Sequence, residues 1–263
     1  IQGMSGFMSV TGARDDVPGG GPQKAGVAVP DLMTGMYASV AILAALAHRD
    51  RSGEGQWIDA CLFDSAVAMM ATMNMNYLTT GVPPVRAGNA HPNIVPYQVF
   101  ACADGHLILA VGNDGQFARF CAIAGHADWA LAPRFAINAQ RVRHREILVP
   151  MIDALMRAKS QADWLAALEA AQIPCGPINR LDQVFADPQL AARGLRFDLP
   201  HPLAGSVAQV GLPFAMSATP AARELAPPLL AQHTRSVLGE RLRRNRDEID
   251  ALAARGVIQV RDR

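Results

Sequence analysis

One carboxylate opens the most apolar stretch of this chain. Across residues 26–46 the only charged side chain is Asp31, which directly follows Pro30 and precedes a run whose polar members, up to residue 47, are Thr34, Tyr37 and Ser39. Proline biases the residue before it towards an extended backbone, so Asp31 is expected at a strand-to-helix turn. Spacing alone favours the plain account, a helix N-cap whose oxygens accept backbone N–H groups, worth about 1 kcal/mol. An anionic side chain at a helix N-terminus inside an apolar wall is also how a carboxylate nucleophile would be presented. One residue can serve both purposes.

A second place for chemistry is the short loop Gly112, Asn113, Asp114, Gly115 and Gln116. Its glycines allow backbone N–H groups to approach a ligand closely, and Gln116 adds a side-chain donor of the kind that steadies an oxyanion. The plain account is a strand-to-helix turn capped by Asn113 or Asp114, and spacing favours it. Cys175, between Pro174 and Gly176, is a possible nucleophile, but no neighbour in sequence would favour its thiolate, and a core thiol is the better reading. The seven histidines are scattered, with none at metal-ligand spacing, so no metal site is expected. Phosphate-loop, dinucleotide-glycine, zinc-protease and serine-elbow motifs are absent.

The elements that must hold these groups follow from periodicity and punctuation. Residues 24–29 and 56–62 are expected as strands, and residues 32–47 as a helix of about 16 residues, buried on most sides and too short for a bilayer span. That helix should end in the basic turn before Gly53. Residues 1–11 suggest a helix stopped at Gly12, residues 14–23 a loop, and residues 69–77 part of a methionine-rich helix. Extended runs 96–102 and 106–111, separated by Ala103-Asp104-Gly105, predict a hairpin. Helical periodicity follows at 117–124, 141–158 and 161–171; residues 173–178 read as a turn. A short helix from 181 should stop at Asp187-Pro188, strands should fill 195–210, and helices 234–242 and 246–254 should close the chain.

Composition narrows the function classes. Half of the 263 residues are hydrophobic, 18% are charged and the net charge is +1, which gives no electrostatic case for nucleic acid or a membrane surface. The basic run 235–246 reads as a solvated helix face. Cys61, Cys102, Cys121 and Cys175 form no close pair, so neither a disulfide framework nor structural zinc is expected, and a reducing, cytoplasmic compartment fits. No signal, transmembrane or lipidation motif is read. The opening Ile1-Gln2-Gly3-Met4 reads like the interior of a domain, so further sequence is expected ahead of it.

Taken together, several stretches resemble the class III coenzyme A transferases, the family of formyl-CoA and carnitine CoA-transferases. They are Ile1-Gln2-Gly3-Met4-Ser5-Gly6-Phe7-Met8 with Thr11-Gly12; Gly26-Val27-Ala28-Val29-Pro30-Asp31-Leu32-Met33-Thr34-Gly35; Gly53-x-Gly55-Gln56-x-Ile58-Asp59; Pro96-Tyr97-Gln98-Val99-Phe100; Asp104-Gly105; the loop 112–116 with Phe117; Pro174-Cys175-Gly176-Pro177-Ile178-Asn179; and Pro227-Pro228-Leu229-Leu230. The resemblance runs in order along nearly the whole chain. Val95-Pro96-Tyr97-Gln98 and His201-Pro202 look most like the succinyl-CoA:dicarboxylate branch. Ala231 departs from the glycine usual before Gln232-His233-Thr234.

The resemblance implies an α/β fold: part of a doubly wound large domain at residues 1–80, a linker at 81–92, a smaller α/β domain at 93–192, a linker at 193–228, and helices returning to the large domain at 229–263. It implies an interlocked homodimer, and a nucleotide-binding N-terminal half ahead of Ile1 that supplies most contacts to CoA. It implies acyl-CoA and carboxylate substrates with no further cofactor, Asp31 as a nucleophile that passes through an acyl anhydride and an aspartyl-CoA thioester, and residues 112–116 as a lid over the substrate. An α-methylacyl-CoA racemase, which shares this fold and moves an α-proton with a His and Asp pair, is the alternative enzyme. A non-catalytic assembly module is the alternative outside enzymes.

Overall fold

The computed structural model describes residues 1–261. It divides into two compact units, Ile1–Ile178 and Asn179–Arg263, and mixes helices with two small antiparallel sheets.

The first unit opens with a single helical turn, α1 (Phe7–Val10). The helix expected over residues 1–11 is cut short because Gly6 takes a left-handed conformation, φ 84°, which turns the chain just before it. Next comes α2 (Val29–Ser52), 24 residues long, ended as expected by Gly53, whose left-handed backbone returns its N–H to the Arg49 carbonyl. Then come α3 (Leu62–Ala68) and α4 (Thr72–Thr80). The strands expected at 24–29 and 56–62 do not form: both runs are without a ladder, apart from the residues that open α2 and α3. A parallel strand is stable only between neighbours that pair with it, and no described strand lies beside either run.

The hairpin forms where the sequence places it, with β1 (Tyr97–Ala101) against β2 (His106–Ala110), Phe100 facing Leu107. After it come α5 (Asp114–Ile123), α6 (Ala127–Leu131), α7 (Asn138–Arg143), α8 (Arg145–Met156) and α9 (Gln161–Ala170). The stretch expected as a turn at 173–178 instead supplies β3 (Cys175–Pro177), which pairs antiparallel with β2. Two prolines lacking N–H groups restrict such a segment to a sheet edge, and β3 is an edge strand. The helices cover one face of this sheet. Leu148, Ile152 and Met156 recur along α8 at helical spacing, Trp164 and Leu168 do so along α9, and all meet Phe100, Leu107, Leu109, Phe117 and Phe120 in one core. Phe120 stacks on Trp164, whose indole N–H donates to the Met156 carbonyl at 2.9 Å.

The second unit holds α10 (Leu181–Phe185), α11 (Pro188–Ala192), a hairpin of β4 (Arg196–His201) and β5 (Gly205–Val210), then α12 (Thr234–Leu242) and α13 (Arg246–Ala254). The short helix from 181 stops before Asp187-Pro188 as expected, and Pro188 then starts a second one, because at the first helical position its missing N–H costs nothing and Asp187 caps the turn.

Candidate functional site

Asp31 lies in the first turn of α2, and it is not the cap. The helix begins at Val29, with Pro30 second and Asp31 third, so Ala28 occupies the cap position and offers no side-chain acceptor. The Asp31 carboxylate is exposed and takes no hydrogen bond or ion pair from any described residue. The structural account of this acid is therefore gone. What remains is an unpaired anion where the helix dipole favours negative charge.

Its surroundings are equally open. Gly35 lies one turn along the same face of the helix, and a Cβ there would meet nothing within 4 Å. A glycine inside a helix costs about 1 kcal/mol against alanine, and no neighbour explains it. Beside it, the Thr34 hydroxyl is turned back onto the Pro30 carbonyl at 2.7 Å and the Ser39 hydroxyl onto the Gly35 carbonyl at 2.8 Å, so neither hydroxyl is given to Asp31.

The apolar flanks of α2 are exposed too, contrary to the burial expected from their composition: Leu32 is 60% exposed, Val40 62% and Leu43 66%. Of the described helices, α2 alone is long and apolar enough to cross a membrane by length and composition, which corrects the shorter length expected for it. Its uncharged stretch, residues 32–47, rises about 24 Å, short of the ~30 Å hydrocarbon thickness.

The loop 112–116 is closed on itself. Asn113 caps α5, its side-chain oxygen accepting the Gln116 N–H at 2.9 Å, while the Gln116 side-chain oxygen accepts the Gly112 N–H at 2.6 Å. A Cβ on Gly112 would come within 3.3 Å of that Gln116 oxygen, a tight contact at the end of a flexible side chain. Asp114 turns inward to accept from the Asn138 N–H at 2.9 Å and from Arg141 at 2.8 Å. Among the described residues, the loop donors that meet no acceptor are the N–H groups of Asn113, Asp114 and Gly115 and the side-chain amides of Asn113 and Gln116. Among the described residues, no hydrogen bond or ion pair joins this loop to Asp31.

Arg141 is the residue that sequence reasoning missed. It is fully buried, donates to the carbonyls of Val95 at 2.7 Å and Phe135 at 3.0 Å, and lies over the Phe117 ring at 4.4 Å. With Asn138, which accepts the Val95 N–H and donates to the Asn93 carbonyl, it ties the loop to residues 93–95. The available signal was an arginine at helical spacing from Leu148 and Ile152 within the helix expected over 141–158, although the chain breaks at His144 and puts Arg141 on α7; its acidic partner, 27 positions away, left no trace in local spacing.

The thiols are not poised for attack. All four cysteines are free; burial, with Glu169 nearby, raises the pKa of Cys175, and burial pushes Cys121 up to about 12. No cluster of three or more metal-ligating side chains occurs among the described residues.

Known proteins bear on this geometry. The chain is 50% identical over 240 residues to the succinate–glutarate CoA-transferase of Agrobacterium fabrum, a match covering 91% of this chain and 59% of that protein. It is 39% identical over 256 residues to the succinyl-CoA:glutarate CoA-transferase of Mus musculus, covering 97% and 58%. The chain thus spans about three fifths of the length of these relatives. A crystal structure of a CaiB/BaiF family protein from Brucella suis superposes with a TM-score of 0.73 at 40% identity, over 91% of this chain and 61% of that one. The family model of CoA-transferase family III matches residues 1–234, and the chain belongs to that family.

Proposed function

We propose that this chain carries the catalytic aspartate of a coenzyme A transferase that exchanges CoA between an acyl-CoA and a dicarboxylic acid. The observation that carries the reading is the unpaired Asp31 carboxylate, which has no structural employment and sits beside the open surface of Gly35. Relatives named for succinate and glutarate support a dicarboxylate of that size as the acid.

In this reading an Asp31 oxygen attacks the thioester carbonyl and the CoA thiolate leaves, giving a mixed anhydride. The thiolate then attacks the Asp31 carbonyl of the anhydride and releases the first acid as its carboxylate. The acceptor carboxylate attacks the resulting aspartyl-CoA thioester, the thiolate leaves again, and its attack on the acceptor carbonyl yields the new acyl-CoA and free Asp31. Each bond broken is matched by one formed, and no water is consumed. The 112–116 loop would contribute the unengaged N–H groups of Asp114 and Gly115 to the developing oxyanion and keep water from the anhydride.

The exposed apolar flanks of α2 support a further part of the proposal, that this helix belongs to a doubly wound large domain and is covered in a homodimer. Four free thiols agree with a cytoplasmic setting.

Incubating the full chain with succinyl-CoA and hydroxylamine, followed by peptide mass spectrometry, tests the chemistry. An Asp31 hydroxamate is expected. Turnover with no adduct on the peptide carrying Asp31 would remove the aspartyl route.

A further inference from the structure

A cavity of about 630 Å³ opens in the first unit, lined neither by Asp31 nor by the 112–116 loop. Part of its wall is apolar, from Val85, Ile94, Val149 and Pro150. The rest holds three arginines, Arg14, Arg86 and Arg145, and three acids, Asp15, Asp16 and Glu146, with His91 between them. The charges cancel in number but not in pairing. Arg14 holds both Asp16, at 2.6 Å, and Glu146, at 2.9 Å, and the Nη2 of Arg86 holds Asp15.

All three acids are thereby paired; Arg145 forms no ion pair with a described residue and feels Glu146 only through space. Its Nη2 donates to the backbone carbonyls of Pro92 at 2.6 Å and His91 at 3.3 Å, and its Nε and Nη1 meet no acceptor among the described residues. The Nε–H of Arg86 is buried without any acceptor, an arrangement that costs about 1–3 kcal/mol. His91 adds no charge: burial, and then Arg145, lower its pKa, and its Nδ1 accepts the Asn93 N–H at 3.0 Å. A guanidinium with two edges free and no acid paired to it therefore lines a cavity with hydrocarbon walls. A planar carboxylate satisfies such a group through charge-assisted bonds, and an apolar body behind it suits the aliphatic wall better than a fully polar phosphate does.

We infer that this cavity binds a short aliphatic carboxylate, its anionic end received by the guanidinium of Arg145 and its carbon chain lying against Ile94 and Val149. The inference is independent of the aspartyl chemistry, since no residue is shared with it. Glutarate is the probe, applied to the full chain. At ten times its Kd, glutarate should cut phenylglyoxal labelling of Arg145 about tenfold while leaving Arg157, which does not line the cavity, unaffected. Arg145→Met should weaken glutarate binding at least about tenfold by calorimetry, and Asp31→Asn should leave it unchanged. A matching rise in KM for the acid in Arg145→Met marks the site as part of substrate binding; lost binding with unchanged KM marks a separate effector site, and either result supports the assignment. The labelling arm uses the unaltered protein, so it decides the matter even if Arg145→Met fails to fold. Unprotected Arg145, undiminished binding by a folded Arg145→Met, or equal protection by inorganic phosphate overturns it.

Discussion

Within the first unit, residues 95–173 and residues 29–52 treat their apolar side chains in opposite ways. The main core is drawn wholly from the first stretch, where α5, α8 and α9 fold over the β1–β2–β3 sheet and bury Phe100, Leu107, Phe117, Leu148 and Trp164 completely. The second stretch is the single helix α2; its most apolar window has a mean hydropathy of 1.5, yet only 6% of that window is buried. Hydropathy therefore marks which surface needs cover. Whether cover arrives depends on topology, because a hairpin and the helices that follow it bring their own opposing face, whereas α2 packs chiefly against the short α3 among the described elements and keeps most of its apolar surface bare.

The contrast can be broken or sharpened by substitution. On the stability scale the largest effect is expected at Arg141, where Arg141→Met strands the carbonyls of Val95 and Phe135 and releases Asp114; denaturant titration should show a loss of about 3–5 kcal/mol. Leu148→Ala should cost about 2–5 kcal/mol through the cavity it leaves, at any protein concentration. Leu43→Glu, on the exposed side of α2, should leave the 95–173 core intact and shift the mass measured by light scattering towards monomer. An unchanged mass would break the proposal that a second copy covers this helix. Gly35→Ala should stabilise α2 by about 1 kcal/mol while lowering CoA exchange, a split that a purely structural glycine would not produce.

The smallest expected effect concerns pH. Because the folded-state pKa of His91 lies below its ordinary 6.5, its contribution to stability is complete above pH 6.5 and is lost as pH falls through the lowered value. Unfolding free energy should therefore decline on acidification below pH 6.5, and His91→Gln should flatten that decline.

Much of this was legible in residue types. The β1–β2 hairpin followed from Ala103-Asp104-Gly105, the stop of α2 from Gly53, and α9 from its apolar period, since each signal lies within the element it defines; the helix expected over 141–158 is divided at His144, its first turn belonging to α7 and the rest to α8. The failures needed partners distant in sequence. Residues 24–29 and 56–62 have strand composition, but a ladder requires neighbours that composition cannot supply. The cap reading of Asp31 fails for a local reason: Pro30 takes the second helical position, which moves the cap back to Ala28 and leaves the carboxylate free. At the loop, the cap at Asn113 was one of two readings of a short motif, but the turning of Asp114 towards Arg141 depended on a contact across 27 residues.

The central claim is that Asp31 is acylated during turnover. Its most direct measurement is the rate of CoA exchange between succinyl-CoA and glutarate by the full chain carrying Asp31→Asn, with circular dichroism as a check on folding. The account expects an unchanged fold and a rate lower by on the order of 10³-fold or more. A folded Asp31→Asn protein that exchanges CoA at the original rate would contradict it.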